Sequence, residues 1–302
     1  MGKLIVMILA AGKGQRFKDA GYITPKPLLL LPITENRGGL PKKVDRTMLS
    51  LIIEYAKRLV PVRQVLLVTT PEIADFQRRF AWKRTPLTSR PTMVVIPEVL
   101  PGAALSAETA SRSLDDNDSI LILDSDNLYF RPEIVSSHLK STLSNGGTDP
   151  YVCHSMYVEP IGRGLSFFTQ ERPSMGRLLD AYSKVEFEGT EFVQFRETGP
   201  SPLTTINVGM YFFQRLFDFR KGLTELKTIG LDTTVTEYSI LKVLILLKEM
   251  EDRAVANGEV PSVKVTPYQL PASSWKPAGT PFQYETLYVR MESANFYEEE
   301  LA

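Results

Sequence analysis

A glycine-rich, basic segment follows an apolar run at the start of the chain, and this junction constrains the fold most strongly. Leu4 to Ala11 are apolar, and the sequence Gly12-Lys13-Gly14-Gln15-Arg16 follows without a gap. A short run that is apolar throughout predicts a strand covered on both faces, as in parallel sheets. Glycines directly after a strand let the backbone turn and present N–H groups to an anion. Taken alone, the glycines have an alternative interpretation, which is a tight turn next to solvated basic residues.

Strand-like and helix-like segments alternate through the first half of the chain. Short runs rich in Val, Ile and Leu predict strands, and helical spacing between them predicts helices. The predicted strands are Lys3–Ala10, Gln64–Thr69, Thr92–Ile96 and Ser119–Leu123; the predicted helices are Met48–Leu59, Pro71–Phe80 and Ala103–Ser113. This alternation predicts an α/β protein with a mainly parallel sheet.

The second half predicts shorter strands in a more mixed sheet. A helix is expected near Thr234–Asp252 and a terminal helix from about Pro281. The predicted strands are Tyr151–Tyr157, Leu165–Phe168, Lys184–Phe187, Phe192–Phe195, Asn207–Phe213 and Val263–Pro267.

Composition excludes several classes of function. The chain has 35 Lys and Arg against 35 Asp and Glu, which argues against a protein that coats nucleic acid or an anionic membrane. Cys153 is the single cysteine, so paired-cysteine zinc sites are excluded. The two histidines, His138 and His154, lack metal-ligand spacing, and no apolar run reaches the roughly 18 residues of a membrane span. We expect a soluble cytoplasmic protein with no nucleic-acid or membrane partner; its oligomeric state stays open.

Two basic side chains accompany the glycine loop. Arg16 can bind two phosphate oxygens through its fork of N–H groups, and Lys26, in Pro25-Lys26-Pro27, adds a point charge. The pattern is neither a Walker loop nor a dinucleotide-binding G-x-G-x-x-G.

Two carboxylates follow a buried strand. Asp124 and Asp126 are two residues apart, so in an extended chain they point to the same side. Ligand sites of parallel sheets lie beyond the carboxyl ends of the strands, and carboxylate oxygens suit Mg²⁺. The alternative is that Asp124 caps a turn and Asp126 is solvated. A separate acidic run, which we interpret as a solvated loop, consists of Asp115, Asp116 and Asp118.

Residues 9–17 and 25–27 resemble the signature of the sugar-phosphate nucleotidyltransferases, which reads L-A-A-G-x-G-x-R and then Phe, Leu or Met, followed by P-K-P. The resemblance implies a GT-A-like, Rossmann-related fold: a mixed, mainly parallel sheet flanked by helices. It also implies catalytic roles for Arg16 and Lys26 on the triphosphate. The nucleotide-binding residues that it implies are Leu9, Ala10, Ala11, Gly12, Lys13 and Gly14. The segment Phe17–Tyr22 is most similar to a bacterial capsule and surface-polysaccharide subgroup, which includes cytidylyltransferases.

Three further segments extend the resemblance over most of the chain. Leu100–Ala107 is similar to the segment that packs against the base, which implies that Gly102 and Ala103 bind nucleotide. Asn207–Phe213 is similar to the N-x-G-x-Y-x-F strand, whose Asn faces the acceptor. Trp275–Pro281 is similar to a W-x-D-x-G-T-P element. We therefore expect one domain over 1–302, with a nucleotide-binding half at 1–135 and an acceptor-binding half at 136–302.

The sequence departs from the family pattern at the acceptor side and at the metal. Pro277 replaces an Asp that usually supplies a second metal ligand. The metal would then be bound by Asp126 with Asp124, or by Asp126 with Asp232 or Glu237 from the following helix region. The E-K-P element becomes Glu197-Thr198-Gly199-Pro200, preceded by Arg196, so we assign acceptor binding to Asn207, Glu197 and Arg196, with Lys184 as another replacement for the lost Lys. An insertion, Ile33–Arg46, has three open interpretations: cover of the site, a partner contact, or a disordered excursion.

The resemblance implies a nucleotidyltransferase that joins a nucleoside triphosphate to a small phosphorylated acceptor, a sugar 1-phosphate being favoured. Mg²⁺ is the expected cofactor and pyrophosphate the second product. Two alternatives stay open: a GT-A glycosyltransferase that uses Asp124-Ser125-Asp126 with a nucleotide-sugar, and a nucleotide-binding regulatory protein without activity. Pro277 and Thr198 favour the latter.

Overall fold

The computed structural model describes residues 3–37, 40–81, 90–144, 150–158, 183–188, 191–196, 205–231 and 237–293. The strands are β1 (Leu4–Ala10), β2 (Leu30–Arg37), β3 (Leu40–Thr47), β4 (Val62–Thr69), β5 (Thr92–Val95), β6 (Ser119–Asp124), β7 (Asn127–Tyr129), β8 (Tyr151–Val158), β9 (Lys184–Glu188), β10 (Glu191–Arg196), β11 (Ile206–Phe213), β12 (Val263–Leu270) and β13 (Trp275–Pro277). The helices are α1 (Gln15–Asp19), α2 (Met48–Arg58), α3 (Pro71–Phe76), α4 (Ala103–Ser111), α5 (Pro132–Ser144), α6 (Leu216–Ile229), α7 (Ile240–Ala256) and α8 (Pro281–Ser293).

The chain divides into two compact units, each made of segments distant in sequence. The first unit comprises the described residues of Leu4–Ser113, Ile122–Lys140 and Lys276–Ala302. The second comprises those of Met1–Lys3, Leu114–Leu121 and Ser141–Trp275.

Parallel strands form the sheet of the first unit, which contains the order β1-β4-β5. Strand β1 pairs with β4 in parallel, and β4 with β5. All seven residues of β1 are buried, and helices α2 and α4 contact this strand. The predicted mixed, mainly parallel sheet flanked by helices is therefore confirmed. The reason is the one the sequence gives: a strand that is apolar at every position is stable only when both faces are covered.

The helices of the first unit begin where the local sequence supplies a start signal. Helix α2 begins after Thr47, whose side chain accepts a hydrogen bond from the Ser50 N–H at 3.1 Å, and this satisfies one of the free amides of the first turn. Helix α3 begins at Pro71, whose fixed φ suits the first helical position.

The insertion at Ile33–Arg46 forms a β-hairpin of β2 and β3, in the antiparallel register that pairs Leu30 with Thr47. Leu31 to Glu35 of β2 are all buried, whereas most residues of β3 are exposed, so β2 is the strand that packs into the unit. Arg46 donates to the carboxylates of Glu35, at 3.0 Å, and Glu54. Of the three interpretations, the disordered excursion is therefore wrong.

The second unit has a mixed sheet that contains the order β10-β9-β11, with β8 pairing β11 and β12. Strand β8 runs antiparallel to β11 and parallel to β12. Helices α6 and α7 approach closely at Gly222, where an added Cβ would lie 2.9 Å from the Val243 Cγ1. Only glycine fits this helix contact without a shift of the neighbouring side chain.

Some predicted boundaries and one predicted loop differ in the structure. The helix expected from Thr234 begins at Ile240, where the Ser239 side chain caps the Lys242 N–H at 3.1 Å. Asp118, expected in a solvated loop, is buried and accepts hydrogen bonds from the Lys3 and Asp115 amides. The predicted strand Leu165–Phe168 lies outside the described residues. No helix in the described part of the chain is both long enough and apolar enough to cross a bilayer.

Candidate functional site

The glycine loop follows β1 in the first unit. Gly14 has φ 61°, in the left-handed region that favours glycine, and its carbonyl accepts the Phe17 N–H at 3.0 Å as helix α1 begins. Gly12 is exposed, and a Cβ built on it would meet nothing within 4 Å. Lys13 and Arg16 are both exposed, and neither side chain has a hydrogen-bond or ion-pair partner among the described residues. The loop therefore presents two cations without internal counter-charges.

Lys26 lies beside this loop although it follows ten residues after Arg16. It starts a short 3₁₀ turn, Lys26–Leu28, that has Pro25 before it. A Cβ built on Gly14 would lie 4.0 Å from the Lys26 Cβ, so the turn and the loop are in van der Waals range. The Lys26 ammonium donates to the Asp126 Oδ2 at 3.0 Å. The structure thus brings together the loop, the P-K-P lysine and one predicted metal ligand.

Asp124 and Asp126 flank the turn at the carboxyl end of β6. The intervening Ser125 N–H donates to the Leu9 carbonyl at 3.3 Å, which ties the acidic turn to the last residues of β1. The Asp126 Oδ1 accepts the Asn127 side-chain amide at 2.9 Å, and the Tyr129 hydroxyl donates to the Asp124 carbonyl at 3.3 Å. Both carboxylates are partly exposed, as a ligand site at the end of a parallel strand requires.

The Trp275–Pro281 element packs against the same carboxylate. The Ala278 N–H donates to the Asp126 carbonyl at 2.9 Å. A Cβ at Gly279 would lie 3.1 Å from the Asp126 Oδ2, so a larger residue there would crowd the carboxylate. The element therefore contacts Asp126 while Pro277 offers no carboxylate.

The Asp126 carboxylate fits a magnesium ion that arrives with its own anionic ligands. Among the described residues, no three His, Cys, Asp or Glu side chains form a cluster able to hold a metal ion. Mg²⁺, however, is usually held by one or two carboxylates together with water and substrate phosphates. The Asp126 carboxylate, which contacts the Lys26 ammonium, suits such a site. Ser125 and Asp126 form a turn, so the extended chain that would point Asp124 and Asp126 to the same side is absent there.

Two other predicted nucleotide-binding residues lie at the start of α4. Gly102 precedes this helix with φ 121° and ψ 156°, a conformation that only glycine adopts readily. Ala103 is the first residue of the helix and is partly exposed. Leu9, Ala10 and Ala11 are buried, so any contact they make with a ligand is through the backbone or a small exposed edge.

The predicted acceptor-binding residues belong to the second unit. Asn207 is buried, and its Oδ1 accepts the Gly209 N–H at 2.9 Å, where Gly209 has φ 68°. This turn lies within the register shift of β11, so the Asn207 carboxamide stabilises a bulge in its own strand.

Arg196 is exposed at the end of β10 and forms a two-point ion pair with Glu186, with N–O distances of 2.7 and 3.0 Å. This pair raises the pKa of Arg196 and lowers the pKa of Glu186. Lys184 is fully buried, whereas Glu237 is exposed. Glu197 and Asp232 lie outside the described residues.

Two hydrogen bonds join the chain that follows the glycine loop to helix α8. The Tyr22 hydroxyl donates to the Glu285 Oε1 at 2.6 Å, and the Tyr284 hydroxyl donates to the Leu30 carbonyl at 2.7 Å. Tyr22 belongs to the Phe17–Tyr22 segment that carries the subgroup resemblance. No local sequence pattern, however, indicates that the partner of Tyr22 lies 263 positions further on.

Comparison with solved structures finds the same fold over nearly the whole chain. A UDP-glucose pyrophosphorylase in complex with UDP-glucose matches with a TM-score of 0.64 and 16% identity, covering 97% of this chain and 100% of that one. The nucleoside-diphosphate-sugar pyrophosphorylase from Vibrio cholerae RC9 matches with a TM-score of 0.59 and 17% identity, covering 94% and 99%. The inositol-1-phosphate CTP transferase from T. maritima matches with a TM-score of 0.54 and 17% identity, covering 97% and 98%.

No protein-family profile matches the chain, and no curated protein matches it. The structural likeness, at identities of 14–17%, covers 98–100% of the neighbours' chains. The chain therefore has the fold of the sugar nucleotidyltransferases.

Proposed function

We propose that the protein is a nucleotidyltransferase that joins a nucleoside triphosphate to a small phosphorylated acceptor and releases pyrophosphate. One observation carries the proposal: Lys26 lies beside Gly14 of the glycine loop and 3.0 Å from Asp126, within one compact unit. A cation, a carboxylate and a turn of glycine backbone are the groups that bind a triphosphate with its metal.

The chemistry needs no general base from the protein. An oxygen of the acceptor phosphate forms a bond to the α-phosphorus, the bond from that phosphorus to the bridging oxygen breaks, and pyrophosphate leaves. The second pKa of a phosphate monoester is about 6, so the attacking oxygen is largely ionised at neutral pH. This agrees with a glycine loop and acidic turn that contain no histidine.

The protein's own groups position the reactants and neutralise charge. Lys13 and Arg16 have no internal counter-charge among the described residues, so both are available to an incoming anion. Arg16 can bind two oxygens, and the loop amides around Gly12 can add hydrogen bonds. Preorganised donors of this kind stabilise the charge that develops in the transition state.

The Lys26–Asp126 pair suits a ligand that carries both signs of charge. When a triphosphate binds with its metal, Lys26 gains an anionic partner and Asp126 gains a cationic one, so neither group is left unpaired. Asp126, with Asp124, would hold the magnesium ion, which would supply further neutralisation of the phosphate charge.

The acceptor side rests on the second unit and on the resemblance. We propose a sugar 1-phosphate as the acceptor, with Asn207, Arg196 and Glu197 as its binding residues. We also propose the division into a nucleotide-binding half (1–135) and an acceptor-binding half (136–302). The names of the structural neighbours, which include pyrophosphorylases and a CTP transferase, support this class of reaction. The Phe17–Tyr22 resemblance supports surface-polysaccharide precursor synthesis and a place in the cytoplasm.

A thermal-shift panel tests the proposal before the acceptor is known. The protein is heated with Mg²⁺ and each of ATP, CTP, GTP, UTP and dTTP, and in parallel with the matching nucleotide-sugars. A ligand that binds the folded state raises the melting temperature. We expect one triphosphate to raise it most, and its base identifies the substrate. A shift with nucleotide-sugars alone, and none with any triphosphate, would favour a glycosyltransferase or a regulatory protein.

A further inference from the structure

Three aromatic side chains connect the glycine-loop segment to helix α8. The rings of Phe17 and Tyr22 meet edge to face with centroids 5.2 Å apart, and Tyr284 lies 6.2 Å from Phe17 and 6.0 Å from Tyr22. We call Phe17, Tyr22 and Tyr284 the aromatic seat. Phe17 follows Arg16 directly, so the segment that joins the two proposed catalytic cations, Arg16 and Lys26, is held by this seat at its first residue.

Hydrogen bonds fix the seat at two further points. The Tyr22 hydroxyl donates to the Glu285 Oε1 at 2.6 Å, and the Tyr284 hydroxyl donates to the Leu30 carbonyl at 2.7 Å. Leu30 follows Lys26 by four residues. The seat therefore holds the chain just after Arg16, midway at Tyr22, and shortly after Lys26.

The Tyr22 hydroxyl keeps its proton at neutral pH. Burial, together with the hydrogen bond to Glu285 and its charge, raises the pKa of Tyr22 to about 12. The hydroxyl is consequently a hydrogen-bond donor at neutral pH.

Backbone hydrogen bonds support the segment only as far as Tyr22, whose N–H donates to the Phe17 carbonyl at 3.0 Å. Helix α1 has only five residues, and Gly21 turns the chain with φ 86°. Ile23 and Thr24, which follow Tyr22, are both exposed. The side chains of Phe17 and Tyr22 therefore carry the packing that sets the path from Arg16 to Lys26.

We propose that Tyr22 and Glu285 are positioning residues, which act through the seat to fix Arg16 and Lys26 against the triphosphate. This inference rests on the proposed function. Displacement of reacting groups by about 1 Å can cost roughly 100-fold in rate, so a small shift of the segment has a measurable effect.

The experiment compares three conservative variants with the unaltered protein. Tyr22→Phe removes one oxygen and keeps the ring packing, while Glu285→Gln keeps an acceptor oxygen for the Tyr22 hydroxyl. Tyr288→Phe is the matched control, because Tyr288 lies on the same helix, its ring is 6.2 Å from Tyr284, and its hydroxyl has no partner among the described residues. Each is assayed for melting temperature, for binding of the triphosphate that the unaltered protein prefers, and for kcat and KM of pyrophosphate release.

We expect Tyr22→Phe to lower kcat about tenfold or more with a much smaller change in KM, because the misplaced cations lose more in the transition state than in the ground state. Glu285→Gln should keep most of kcat, and Tyr288→Phe all of it. Equal kcat in Tyr22→Phe and Tyr288→Phe would overturn the positioning role, as would a loss in Tyr22→Phe that disappears on cooling. Failure of the unaltered protein to bind any triphosphate would instead remove the proposed function, and the positioning role with it.

Discussion

Replacement of Gly12 by alanine separates what the fold requires of this residue from what a bound phosphate requires. A Cβ at Gly12 meets nothing within 4 Å, and its φ lies outside the left-handed region. Gly→Ala at such a position usually stabilises a protein by about 0.4–1 kcal/mol, because the unfolded chain loses freedom. Gly14, with φ 61°, is the contrast: alanine there is strained by about 1–2 kcal/mol.

The ligand should respond in the opposite direction. If the backbone at Gly12 approaches a phosphate, the added methyl group occupies that space and removes a hydrogen bond to a charged group. Such a bond is worth about 1.5–3 kcal/mol, or roughly 10- to 150-fold in affinity. Gly12→Ala should therefore melt at the same or a higher temperature and bind the triphosphate at least about tenfold more weakly.

The assay combines chemical denaturation with calorimetric titration of the preferred triphosphate, for Gly12→Ala, Gly14→Ala and the unaltered protein. Gly14→Ala should be less stable, since its strain is in the fold itself. Unchanged affinity in a stable Gly12→Ala protein would show that no phosphate approaches this backbone, and would refute the assignment of the loop. A destabilised Gly12→Ala protein would show that an added Cβ at Gly12 clashes with neighbouring atoms in the folded protein.

Three further predictions concern single side chains. Lys26→Ala should lower turnover about 10²–10³-fold, the usual loss for one transition-state donor. Lys248→Ala is the control, because Lys248 is also ion-paired and both lysine side chains are 17% exposed. Equal turnover in the two variants would contradict the role of Lys26. Asp126→Asn should raise the Mg²⁺ concentration needed for half-maximal pyrophosphate release, whereas Asp116→Asn, which alters an ion pair with Arg220, should not; superimposable Mg²⁺ titrations would remove Asp126 from the metal site. Burial lowers the pKa of His138 to about 4, so its contribution to stability is present above about pH 6.5 and is lost as the pH falls towards 4. In denaturant titrations, His138→Gln should therefore lose less stability over that range than the unaltered protein. Parallel stability–pH curves for the two proteins would argue against the lowered pKa.

The sequence predicted the nucleotide side of the fold because its signals there are local. An apolar strand, the glycines behind it and a proline-flanked lysine are each recognisable within a few residues, and the parallel sheet aligns their ends. Strand β1 ends at Ala10, and the sequence had predicted that boundary. The Lys26–Asp126 contact joins positions 100 residues apart, yet each partner was selected by its own motif.

The features that the sequence missed depend on long-range packing. Asp118 reads as one acid in a polar run, but in the fold it caps the amides of Lys3 and Asp115 and becomes buried. The hairpin has Lys- and Pro-containing strands, yet Leu31 to Glu35 are all buried, and β2 contacts helix α8, which is distant in sequence. No sequence periodicity predicts the contact between Tyr22 and Glu285 either.

The most direct test of the central claim is whether pyrophosphate release requires both substrates. The protein is incubated with Mg²⁺, the preferred triphosphate and a panel of sugar 1-phosphates, and pyrophosphate and the nucleotide-linked product are measured by enzyme-coupled assay and mass spectrometry. We predict pyrophosphate in equal amount to a nucleotide-linked sugar, formed only when triphosphate and acceptor are both present and greatly reduced in Lys26→Ala. Tight triphosphate binding without product from any acceptor of the panel, or pyrophosphate released at the same rate by Lys26→Ala, would contradict the account.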